Sequence, residues 1–226
     1  MDKPGPATRK PPDMKTFLQN YQNKEQLCDL LLKVWSSEKA LSRIESCSQA
    51  IIIVKGKAHK LTVTNNKITI PEIHELFSKQ EETDTRIIIY LEYAVKQGFK
   101  TAVVRSPDTD IFFILLYYAH KINLTVYLDT GFGKHRKLIN VSAIASSFGN
   151  EYCDALLGFY VYTGEDCTSA FKGKGKVGPL KKLQKNPRFL KTFQNLGVDW
   201  NVKPDLHKEL EEFTCLMYGY QHEKKK

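Results

Sequence analysis

The chain has 226 residues, 42% hydrophobic and 26% charged, a globular balance that excludes a disordered or fibrous protein. Lys and Arg outnumber Asp and Glu by 34 to 25, and the net charge of +9 suits a polyanionic partner without naming one. The longest apolar run, residues 111–119, is far short of the roughly 20 residues a membrane span needs, so no membrane association is expected.

Residues 1–14 carry Pro4, Pro6, Pro11 and Pro12 among basic residues and read as an unstructured lead-in, with no secretory leader. The five cysteines show no C-x-x-C spacing, and an intracellular protein, nuclear or cytoplasmic, is expected. Over residues 15–41 the apolar spacing predicts one or two amphipathic helices. Ile51-Ile52-Ile53-Val54 has the length and branching of a buried strand, and residues 61–70 suggest a hairpin turning at Asn65-Asn66.

A βα rhythm follows. Ser78 with Glu81 fits a capping box that opens a helix running to about Gln97, and Gly98 supplies the stop. Ala102-Val103-Val104 predicts a buried strand, and Ser106-Pro107-Asp108-Thr109-Asp110 a turn into a helix over residues 111–120. Residues 124–128 form another strand, ending in Asp129-Thr130-Gly131, which reads as a turn and leaves Asp129 a marginal site candidate. A short strand over 137–141, a helix capped by Ser142 and another capped by Asn150 come next. Beyond Thr163 the pattern is helical, with Leu206, Leu210, Phe213 and Met217 marking a closing amphipathic helix. The alternation implies an α/β fold with a mainly parallel sheet flanked by helices. The division is a lead-in at 1–14, an α/β domain at 15–165, and a helical region at 166–226.

The chemistry-bearing residues are acids at predicted strand and helix ends. Asp108 and Asp110 stand one residue apart just beyond a strand, where open α/β sheets collect ligands. Asp84 continues the stripe of Ile88, Leu91 and Val95 at spacings of four, three and four, and Glu82 lies in the same turn. Asp166 follows an apolar helix and can return to the same edge, although alone it reads as an N-cap. Carboxylates so gathered repel one another unless a hard cation meets them, and oxygen donors suit Mg²⁺ or Mn²⁺. Immediately after Asp166, Lys172-Gly173-Lys174-Gly175-Lys176 combines cations with a G-x-G turn, and Lys181, Lys182 and Lys185 follow. Such a segment suits a phosphodiester backbone read without sequence specificity.

The order of these motifs resembles the flap-endonuclease branch of the PIN-like nucleases, and is similar to animal proteins carrying a derived form of that module. Glu82-Thr83-Asp84 matches the acid-x-acid helix opening, Ser106-Pro107-Asp108-Thr109-Asp110 the strand-end motif, and Thr163-Gly164-Glu165-Asp166 with Gly173-Lys174-Gly175 the entry to a helix-two-turn-helix hairpin. The likeness covers residues 78–185. It implies a PIN-like fold followed by a helix-two-turn-helix-like segment, and a metal-dependent, structure-specific phosphodiesterase acting on DNA or RNA with one or two Mg²⁺ or Mn²⁺ ions. Glu82, Asp84, Asp108, Asp110 and Asp166 would be ligands, with Asp84, Asp108 and Asp110 central to catalysis, and Lys172, Gly173, Lys174, Gly175 and Lys176 would contact nucleic acid.

Two departures qualify the match. The strand at Ile51–Val54 runs into Lys55-Gly56-Lys57 with no acid at its end, and no basic arch segment is recognisable. The resemblance reads these either as amino-terminal shortening or as loss of part of the metal site, which makes a catalytically inactive nucleic-acid-binding or scaffold protein the alternative. Toprim-like and DxD-phosphatase sites fit less well, because Glu82 opens a helix and Ile111-Phe112 follows Asp110.

Overall fold

The structure, a computed structural model, describes residues 11–40, 42, 50–54, 57–65, 67–78 and 83–220. The backbone divides into two compact units, Met1–Arg86 and Ile87–Lys226. The division drawn from sequence at 165/166 falls inside the second of these.

In the first unit, Asp13 caps helix α1 (Met14–Gln19) by accepting from the N–H groups of Lys15 and Thr16. Asn20 likewise caps α2 (Tyr21–Trp35) through the N–H of Asn23. Of the one or two helices expected, two are present, each begun by a side chain that satisfies otherwise orphaned donors. Strands β1 (Ala50–Val54), β2 (Lys57–Thr64) and β3 (Lys67–Thr69) form an antiparallel sheet in that order. Asn65 takes a φ of +50° at the β2–β3 turn, which asparagine tolerates.

The strand over Ile51–Val54 thus departs from expectation. It is one arm of a hairpin rather than a member of a parallel sheet, and Ile51 is 37% exposed. An apolar run gives no information about its partner, and a short connection permits only an antiparallel one.

Helix α3 (Thr83–Lys96) leads into the second unit. Its stripe is as predicted, with Ile88 and Leu91 buried in the main core and Val95 packed against it. Residues 79–82, which include the acidic half of the capping box, lie outside the described residues.

Strands β4 (Thr101–Arg105) and β5 (Thr125–Thr130) are parallel neighbours, and β6 (Lys137–Asn140) pairs antiparallel with β5. Helix α4 (Thr109–Tyr118) connects β4 to β5; α5 (Val141–Phe148) and α6 (Asn150–Tyr162) follow the sheet. The α/β class is borne out, with the sheet of this unit half parallel and half antiparallel. The middle of β4, expected to be buried, alternates instead, and Val103 is 59% exposed because only one face of the strand meets the core. Two caps also move. Asn140 rather than Ser142 caps α5, because the Ser142 hydroxyl is engaged with the β5 entry, accepting from Val126 N–H at 2.9 Å. Gly149 rather than Asn150 precedes α6.

Helices α7 (Val177–Lys185), α8 (Phe189–Asn195) and α9 (Pro204–Tyr218) pack into the same core as the sheet. Phe159 of α6, Phe189 and Phe193 of α8 and Phe213 of α9 meet edge-on with ring centroids 4.9 to 6.2 Å apart. Burying each such ring is worth about 1.5–3 kcal/mol, so the helical region is held to α6 by this cluster. Among the described residues no helix is long and apolar enough to cross a membrane.

Candidate functional site

Beyond β4 the chain turns through Ser106-Pro107-Asp108 in a ladder of short bonds. The Ser106 hydroxyl accepts from Asp108 N–H at 3.1 Å, and Asp108 Oδ1 accepts from Asp110 N–H at 3.0 Å, capping α4. The expected turn into a helix is therefore present, with Asp108 as the helix cap, which engages one of its oxygens. Asp110 is half-buried in the first turn of α4. Its Oδ1 receives the hydroxyl of Tyr160, on α6, at 2.5 Å.

Tyr160 organises the site. It is buried, and its ring stacks on Phe113 of α4 at 4.0 Å and 22°. Burial, then the Asp110 carboxylate, then Asp108 and Asp166 hold its phenol well above the ordinary tyrosine range. A tyrosine so placed stays protonated and acts as a fixed hydrogen-bond donor. Of these acids Asp110 is the one in contact with the phenol, while Asp108 and Asp166 act on it through space.

The segment after α6 folds back over this point. Gly164 adopts a φ of +104°, and a Cβ there would lie 2.7 Å from Ala170, so the return is open only to glycine. Lys176 reaches inward rather than outward. Its ammonium donates to the carbonyl of Tyr160 at 2.9 Å and to the carbonyl of Gly164, and lies 3.8 Å from the centroid of the Tyr160 ring. Burial pushes the Lys176 ammonium below its usual range, while Asp110 and Glu165 pull the other way.

Of the expected nucleic-acid contacts, Lys176 is thus spent within the protein, whereas Lys172, Gly173 and Gly175 are exposed. Gly173 has a φ of +72°, the conformation that a tight turn here requires. The loop is braced by α9. The Tyr218 hydroxyl donates to Lys172 O at 3.2 Å, and the Lys174 ammonium lies 4.7 Å over the Tyr218 ring. Helix α7 begins at Val177 with no acid in its first turn and no side-chain cap, which leaves its positive end beside the loop.

Asp129 behaves differently from the turn residue expected. It lies inside β5, 6% exposed, where Arg136 grips both its oxygens at 2.9 and 2.7 Å and Arg105 meets Oδ1 at 3.1 Å. Asp84 is half-buried in the first turn of α3, and Glu82 lies outside the described residues. Among the described residues, no group of three or more His, Cys, Asp and Glu side chains is arranged as a metal-holding cluster.

No protein-family model, curated protein or solved structure matches this chain.

Tyr160, Phe113, Arg105 and Arg136 were not singled out from sequence. Tyr160 sits in an apolar helical run among Phe159, Val161 and Tyr162, where a hydroxyl aimed at an acid 50 residues earlier leaves no local signal. Arg136 had one available sign, its place within an isolated basic stretch seven residues after a strand-end acid.

Proposed function

We propose that this chain is a metal-dependent, nuclease-like protein acting on nucleic-acid phosphodiester bonds, DNA foremost and RNA as a second substrate. The observation that carries this reading is the pair Asp108 and Asp110 just beyond β4, joined by a hydrogen bond and with Asp110 held by Tyr160, on the unit that also bears the exposed loop of Lys172, Gly173 and Gly175. The donor chemistry fits Mg²⁺ or Mn²⁺, because the set is all carboxylate oxygen and both Asp108 and Asp110 use only Oδ1 in the protein bonds described. Asp108 and Asp110 would hold the ion, with Asp166 the further acid that the motif order implies within the same unit. Such an ion supplies Lewis-acid polarisation at a phosphoryl oxygen. Tyr160 holds the Asp110 carboxylate in one orientation, and the lysine loop neutralises the backbone of the substrate strand.

A non-catalytic nucleic-acid-binding role on the same surface is favoured by one specific arrangement. Asp110 already has a protein partner, the phenol of Tyr160, and the ammonium of Lys176 offsets part of its charge through space. Cleavage of labelled flap DNA by the purified full chain separates the two. Turnover that requires Mg²⁺ or Mn²⁺ and disappears in Asp108→Ala supports the first reading. Salt-sensitive binding with no turnover under either metal supports the second, and cleavage that persists in EDTA removes the first.

A further inference from the structure

The hairpin joining β5 to β6 springs from the same end of the sheet as the acid pair. The turn toward Asp108 is tied to it, since Ser106 N–H donates to the Asp129 carbonyl at 3.1 Å. Thr130 and Lys137 close the ladder, so residues 131–136 form the tip. Its sequence, Gly131-Phe132-Gly133-Lys134-His135-Arg136, contains no acid.

The tip is braced from within and from below. His135 N–H donates to Phe132 O at 3.0 Å, and Arg136 N–H to Gly133 O at 3.2 Å. The Arg136 side chain is anchored on Asp129, and Arg105 of β4 donates to Gly131 O at 2.6 Å. That same Arg105 guanidinium lies 5.1 Å from the centroid of the Phe132 ring, within cation–π range. The ring is nevertheless 68% exposed. Single exposed apolar side chains are common on proteins, but this one is backed by an arginine and flanked by cations. Lys134 and Lys137 are exposed, and among the described residues neither is held in an ion pair. The acid at the base of the hairpin, Asp129, is cancelled by Arg105 and Arg136.

An occupant of the tip therefore meets a flat aromatic face and uncompensated positive charge. An unpaired nucleotide supplies both complements, a base to stack and a phosphate to be neutralised. A duplex keeps its bases stacked on one another, and an acidic peptide matches the charge alone. We infer that the β5–β6 tip binds single-stranded nucleic acid, one base stacking on Phe132 with adjoining phosphates on Lys134 and Lys137. The inference rests on the nucleic-acid class proposed above, but on neither the metal nor cleavage.

The test is fluorescence anisotropy on the full chain in EDTA, where metal-dependent cutting is silent. The probes are labelled oligothymidine, an abasic strand of equal length and a blunt duplex. Phe132→Ala, at an exposed ring, is expected to weaken oligothymidine binding about fivefold or more, the worth of one stacked base. It is expected to leave the abasic strand and the duplex at the parent affinity, and Phe132→Trp to retain oligothymidine binding. Changing Lys134 and Lys137 together to Ala is expected to lower the salt slope on oligothymidine by up to about 1.4. Oligothymidine binding that ignores Phe132→Ala, or a loss equal on the abasic strand, overturns the inference and leaves the nucleic-acid reading standing. Polyglutamate bound with the same dependence on Phe132 also overturns it, in favour of an acidic protein partner. A parent chain that binds none of the three probes removes both.

Discussion

Asp129 and Asp110 stand near the carboxyl ends of neighbouring strands of one sheet, yet their surroundings are opposite in kind. Asp129 is gripped by two guanidinium groups, with every oxygen occupied and its charge cancelled. Asp110 is met by a neutral phenol through one oxygen. Bidentate arginine is the strongest protein partner a carboxylate has, and it leaves nothing for a metal or substrate. A phenol orients a carboxylate without neutralising it. The contrast separates an acid that ties β5 to β4 and to the segment before β6 from one that keeps an oxygen outside the protein bonds described.

The largest expected effect bears on the open acid. Asp110→Ala should reduce metal-dependent cleavage of flap DNA by at least ~100-fold, measured as initial rate under saturating Mg²⁺; a rate equal to that of the parent protein would place Asp110 with Asp129 as structural. Next is the lysine loop. Changing Lys172 and Lys174 together to Ala should lower the slope of log affinity against log salt by up to about 2, read by fluorescence anisotropy on labelled DNA. An unchanged slope would remove the loop from the interface.

Tyr160→Phe sharpens the comparison more finely. Loss of a hydrogen bond to a half-buried carboxylate should cost about 1–2 kcal/mol of unfolding free energy, measured in urea. It should also change the Mg²⁺ concentration needed for half-maximal cleavage, a readout that a purely structural tyrosine would leave alone.

The smallest effect on activity belongs to the closed acid. Asp129→Asn should leave cleavage near the parent rate while lowering the thermal midpoint by several degrees. Its pH dependence has a defined sign. The Arg136 guanidinium, with Arg105, holds the folded-state carboxyl below its ordinary range. The pair therefore stabilises fully above the unfolded value of about 4 and loses its contribution as pH falls through the folded value. The parent and Asp129→Asn stability curves should converge in acid; curves that stay parallel there would show that the arginine pair is not what stabilises this corner.

Much of the element list could be read locally. The stripe of α3 and the closing stripe of α9 were found because burial on one side of a helix repeats every three or four residues. The turn at Asp108 was legible because its hydrogen bonds join residues two apart. The burial of β4 was misjudged because an apolar triplet looks the same whether one face or both faces meet a core. Asp129 was read as a turn residue because its partners lie 7 and 24 residues away.

The amino-acid order alone gave most helices and strands to within a few residues, and the acids and lysines near their ends, since propensity, capping and periodicity act within a few residues. Which acid is neutralised, which lysine turns inward, and which arginine braces the β5–β6 tip were decided by folding. Tyr160 with Asp110 and Arg105 with Gly131 join residues 50 and 26 positions apart. The charge on a carboxylate is governed by what lies within a few ångströms, and that neighbourhood exists only after the chain has packed.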